Sequence, residues 1–134
     1  MEMHLGERWQ PRPKLLLAHT DARLRFLASC HFDDLGVDLV GAGTASTARS
    51  LARLLTPEVI VLGAELPDES GYLACAKLKA ERPEHKVYLV GRFASGEARR
   101  FARYVGAEDY LATSEGWEEI AVHIAEHGFA SNCG

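Results

Sequence analysis

Glu58-Val59-Ile60-Val61-Leu62, followed by Gly63-Ala64-Glu65-Leu66-Pro67-Asp68-Glu69-Ser70-Gly71, is the stretch on which the fold turns. Its first five residues are rich in β-branched side chains, and the run stops at a glycine and a loop holding Pro67, which is how a strand reads. A helix from about Gly71 to Glu81 follows. Upstream, Thr44 to Leu55 is an alanine-rich helix closed by Pro57, and Val37 to Ala42 a strand after the turn at Gly36. Lys14-Leu15-Leu16-Leu17-Ala18 is a short apolar run suited to a strand buried on both faces. Asp21 then caps a helix in which Ala22, Leu24, Phe26, Leu27 and Cys30 recur at helical spacing to about Asp33.

Downstream the alternation continues. Lys86 to Val90 is a strand, and Ser95 caps a helix that runs to Tyr104 and ends at Gly106. Asp109 to Leu111 is a short strand, and Trp117 to His127 a helix with Glu118 and Glu119 in its first turn, where the helix dipole favours anions. Five strands alternating with five helices imply an α/β doubly wound parallel sheet, flavodoxin-like, in the order 2-1-3-4-5. Chemistry in such folds gathers at the carboxyl ends of the strands. Here those ends hold His19, Thr20, Asp21, Gly63, Gly91 and Thr113.

At 134 residues the chain suits one domain, expected over residues 14–127 between an extension (1–13) and a tail (128–134). No apolar run approaches the roughly 18 residues that span a bilayer, and the start is polar and broken by Pro11 and Pro13. A cytoplasmic location without membrane contact is expected. The net charge of −4 comes without a basic stripe, which argues against direct nucleic-acid binding. Cys30, Cys75 and Cys133 lack metal-ligand spacing. Cys30 and Cys75 read as core thiols and Cys133 as an exposed tail residue. Neither a metal nor a cofactor is expected.

The segment Val59 to Gly71 resembles the third strand and following loop of the receiver domains of bacterial response regulators, with Pro67 and Gly71 four and eight residues after Gly63. Val105-Gly106-Ala107-Glu108-Asp109-Tyr110-Leu111 is similar to the family's approach to its fifth strand, and the likeness covers about Lys14 to His127. The resemblance implies a CheY-like fold and an aspartyl-phosphate switch. That chemistry needs an Asp nucleophile at the position of Gly63, two acids for Mg²⁺ at His19 and Thr20, a hydroxyl at Gly91 and a Lys at Thr113. Only Asp21 remains acidic there. The expectation is a non-phosphorylatable pseudo-receiver in a two-component or phosphorelay-related pathway, with no catalytic residues and no enzymatic activity.

Gly63 reads either as a position that has shed its carboxylate, as a backbone angle that needs glycine, or as space for another ligand. The last option makes the alternative function a small-ligand or anion sensor at the emptied strand ends. The resemblance places the partner surface on the fourth helix, fifth strand and fifth helix, for a signalling protein or a second copy. Arg99, Arg103, Glu108, Asp109, Tyr110 and Trp117 are its candidate residues. Tyr110 occupies the family's switch-aromatic position, whose hydroxyl-bearing partner is here Gly91.

Overall fold

A computed structural model describes residues 11–129, so the reading of Cys133 falls outside it. The elements run β1 (Lys14–Ala18), α1 (Ala22–Asp34), β2 (Asp38–Ala42), α2 (Ala45–Leu55), β3 (Val59–Gly63) and α3 (Gly71–Glu81). They continue with β4 (Val87–Gly91), α4 (Gly96–Tyr104), β5 (Asp109–Ala112), a 3₁₀ turn (Thr113–Glu115) and α5 (Trp117–Gly128). All strand pairs are parallel, in the order β2-β1-β3-β4-β5.

Burial on both faces explains the unbroken apolar character of β1 and β3. Alternate residues point to opposite sides of a strand. Leu16, Ala18, Ile60 and Leu62 face the layer of α2, α3 and α4. Leu15, Leu17, Val59 and Val61 face α1 and α5. All eight are fully buried. α2 presents Ala45, Ala48 and Ala52 to the sheet, all without exposed surface, so it packs close. Two side chains serve its N-terminus. Thr44 Oγ1 accepts from the Thr47 N–H at 3.1 Å, and the Asp68 carboxylate accepts from Ala45 and Ser46 at 2.8 and 2.9 Å.

Two expectations need correction or extension. Cys30 is exposed, because the inward stripe of α1 is Leu24, Ala28 and Phe32, at four-residue spacing; Phe26 and Leu27 turn outward with it. Arg12, in the extension, is docked: it bridges Asp33 at 2.9 Å and Asp38 at 3.3 Å, tying the chain's approach to β1 against α1 and β2. No described helix is long and apolar enough to cross a membrane.

Candidate functional site

The carboxyl ends of β1, β3, β4 and β5 open into one crevice of about 850 Å³. All six strand-end residues anticipated from the sequence line it: His19, Thr20, Asp21, Gly63, Gly91 and Thr113. Glu65, Arg92 and Tyr110 complete its polar wall.

His19 follows β1 and stays half-buried, its backbone N–H donating to Ala42 O at 3.0 Å. Its Nδ1 accepts from the Asp21 N–H at 3.1 Å, and its carbonyl accepts from Arg25. Burial pulls the imidazole below its ordinary 6.5; Asp21 opposes and Arg25 reinforces that shift. The Trp117 ring meets it edge-on at 6.4 Å. Thr20 Oγ1 donates to Glu65 O at 3.3 Å. Asp21 caps α1 as its position foretells, Oδ1 accepting from the Arg23 N–H at 2.8 Å.

These groups do not fit Mg²⁺, which takes hard oxygen ligands in near-octahedral array. A histidine and a threonine already bonded to Glu65 O stand where the acids would be. Among the described residues no group of three or more His, Cys, Asp or Glu side chains is placed to hold a metal.

The glycines of the site differ in kind. Gly63 does not adopt the left-handed backbone, which removes a special angle as the reason for it. A Cβ there would sit 3.4 Å from Ala18 O and His19 Cδ2, ordinary contact distances. Gly71, by contrast, lies against the Gly63 carbonyl, with Gly63 C at 2.9 Å and Ala64 Cα at 3.0 Å from where its Cβ would be. The Gly71 N–H donates to Ala64 O at 2.8 Å, closing the β3–α3 loop. At Gly91 the missing side chain's volume is filled by Tyr110, whose hydroxyl overlaps the Cβ position and whose Cζ would be 2.7 Å from it.

The β3–α3 loop is pinned beside the crevice. Asp68 is committed to the α2 N-terminus, and those backbone N–H groups hold its carboxyl below the usual range. Glu69 pairs with Arg49 and, at 2.8 Å, with Lys77.

The partner residues named from the sequence are divided by the fold. Arg99, Arg103, Glu108 and Asp109 lie on or near the α4–β5 surface, where Arg99 reaches Asp109 at 3.5 Å and Tyr110 O at 3.3 Å. Tyr110 and Trp117 are only 5% and 4% exposed, which corrects their place on that surface. Tyr110 turns into the α3–α4 layer because Gly91 leaves room for it, and burial raises its phenol pKa. Trp117 packs on the opposite face of the sheet with Leu15, Leu17 and Ile120. Tyr72, Phe101 and Tyr104, which the sequence reading passed over, carry the exposed aromatic surface instead.

The probable transcriptional regulatory protein TcrX of Mycobacterium tuberculosis is 33% identical over 89 residues, which are 66% of this chain and 38% of that protein. The signal receiver domain of a putative Luxo repressor protein from Vibrio parahaemolyticus superposes with a TM-score of 0.80 at 23% identity, covering 87% of this chain and 90% of that domain. The fold is that of CheY-like receiver domains. The beryllofluoride-activated DrrB receiver domain gives a TM-score of 0.75 at 25% identity, covering 87% of this chain and 97% of that one. No protein-family model matches this chain. The chain spans 38% to 47% of the length of the curated relatives it matches, whose names describe transcriptional regulators.

Proposed function

We propose that this receiver is a signalling module of a two-component-related pathway that takes no aspartyl phosphate and works by protein–protein contact. The carrying observation is the pairing of Gly63 at the nucleophile position with Tyr110 seated in the space of residue 91. A carboxylate nucleophile is absent where phosphoryl transfer needs one, and the aromatic that would respond to it has no alternative seat to fill. Of the acids that could stand in for it, Asp21 and Asp68 are each bonded to backbone N–H groups at helix N-termini. The proposed contact surface is the α4–β5–α5 face, carried by Arg99, Arg103, Glu108 and Asp109. Neither enzymatic activity nor direct nucleic-acid contact belongs to this reading.

Intact-mass analysis after acetyl phosphate with Mg²⁺, paired with amide NMR under beryllofluoride, tests it. The expected result is no added phosphoryl mass and unmoved resonances at Gly63, Gly91 and Thr113. A phosphorylated species would overturn the reading.

The crevice itself favours a second reading, a small-ligand or anion sensor. It keeps about 850 Å³ of space, with Arg92 and the hydroxyl of Thr113 on its wall. Thermal-shift screening with nucleotides and inorganic anions separates the two. The indole resonance of Trp117, next to His19, serves as a second reporter.

A further inference from the structure

Outside the crevice, the rings of Tyr72, Phe101 and Tyr104 gather between α3 and α4. Tyr72 lies 4.7 Å from Phe101, and Phe101 stacks on Tyr104 at 6.2 Å. Phe101 is 49% exposed and Tyr104 84%. With Arg100 and Glu97 these rings line a shallow groove of about 780 Å³. Its floor is fixed from beneath, since Tyr72 stacks on buried Tyr110 at 6.3 Å and 11°. Clustered aromatic surface with arginine at its rim has the composition of a binding patch rather than of solvated surface.

Charge decides the occupant. The chain carries a net −4, yet α4 holds Arg99, Arg100 and Arg103 against the single acid Glu97. Arg99 turns to Asp109 on the β5 side. Arg100 lines the groove beside Phe101 and Tyr104, and Arg103 stands exposed on the same helix at its edge. A second copy docking about a two-fold axis would set this cationic patch against itself. An acidic segment instead meets guanidinium groups whose planar forks suit carboxylates.

We propose that the α3–α4 groove docks an acidic segment of a partner protein, with an aromatic or long aliphatic side chain against Phe101 and Tyr104 and flanking carboxylates on Arg100 and Arg103. The site rests on the protein-contact reading only in kind. It lies on the α3 side of the same α4 helix and shares Arg103 with that surface, and its failure would leave the phosphorylation result untouched.

The test titrates the full chain with a short synthetic peptide of Asp and Glu around a central Trp-Leu pair, read by amide NMR. The same peptide with Lys in place of the acids is the control, and sedimentation velocity runs alongside. Saturable shifts centred on Tyr72, Arg100, Phe101 and Tyr104 are expected, with binding of the Lys peptide weaker by roughly tenfold or more. Arg100→Glu and Tyr104→Ala, both at exposed positions, should each weaken binding similarly, while Asp34→Asn on the distant, exposed end of α1 leaves it unchanged. Absence of saturable shifts, equal binding of both peptides, or shifts centred on α5 would overturn the proposal. Self-association lost on Tyr104→Ala would overturn it too, in favour of a second copy as the occupant.

Discussion

The ring of Tyr110 fills the volume that a side chain on Gly91 would occupy, its Cζ standing 2.7 Å from where that residue's Cβ would be. The two residues lie on neighbouring strands, Leu89 of β4 opposite Tyr110 and Gly91 opposite Ala112. Tyr110 therefore reaches diagonally across the β4–β5 pair toward the crevice. Burial at 5% exposure and stacking on Tyr72 hold it there.

Gly91→Ala should evict the ring from this seat. Overpacking of this kind costs about 1–3 kcal/mol. In the Tyr110→Ala background the same substitution has nothing to displace and should be nearly neutral. Urea midpoints of the two single variants and the double variant check the coupling. Additive losses would mean that the ring and the glycine are not matched.

Gly63 and Gly71 should respond in opposite ways to a side chain. Gly63→Asp meets only ordinary contacts, so the variant should fold. It should still gain no mass from acetyl phosphate, because His19 and Thr20 supply no Mg²⁺ carboxylates and Thr113 no ammonium. Gly71→Ala drives a Cβ into the Gly63 carbonyl, which cannot yield without reopening the β3–α3 loop. Its loss should exceed roughly 3 kcal/mol, at the large end for a single substitution. Denaturation midpoints and intact mass read both.

The fold was legible because its signals are local. The apolar runs of β1 and β3, the caps Asp21 and Ser95, and Gly106 with its φ of +97° each act through neighbouring backbone. The six crevice residues followed from topology, which brings the strand ends together whatever their side chains. Side-chain direction was less legible. Whether Tyr110 faces water or the interior depends on a glycine 19 positions earlier, on another strand. The apolar count of α1 could not tell Ala28 and Phe32, which meet the sheet, from Phe26 and Cys30, which do not. The aromatic face of Tyr72, Phe101 and Tyr104 spans two helices and has no periodicity to reveal it.

Acidification should weaken the fold before any carboxylate titrates. Burial lowers His19 and His85 below the ordinary 6.5. The folded chain then binds fewer protons than the unfolded one just under that value. Stability from these groups is whole above 6.5 and declines as the pH falls through it toward the folded values. Asp68 and Glu81, both lowered, add their losses only below their ordinary 3.8 and 4.5. Thermal midpoints across this range should therefore fall in two stages. His19→Gln should make the upper stage shallower, with the share of His85 remaining, and leave the lower one in place; an unchanged upper slope would remove His19 from the account.

The thiols should separate by reactivity. Cys75 is fully buried on α3, its Sγ 3.5 Å from Val105 O, and burial pushes its pKa to about 11 despite the ammonium of Lys79. The thiolate is the reacting form, so near neutral pH this sulfur is both inaccessible and protonated. Cys30, on the outward side of α1, is exposed to the reagent. Iodoacetamide treatment of the native chain followed by peptide mapping should label Cys30 and spare Cys75, and urea should equalise the two. The same labelling on Gly71→Ala reports whether the loop defect spreads into α3. Early modification of Cys75 in that variant, with Cys30 unchanged, would show that the contact between Gly71 and the Gly63 carbonyl holds the whole helix against the sheet.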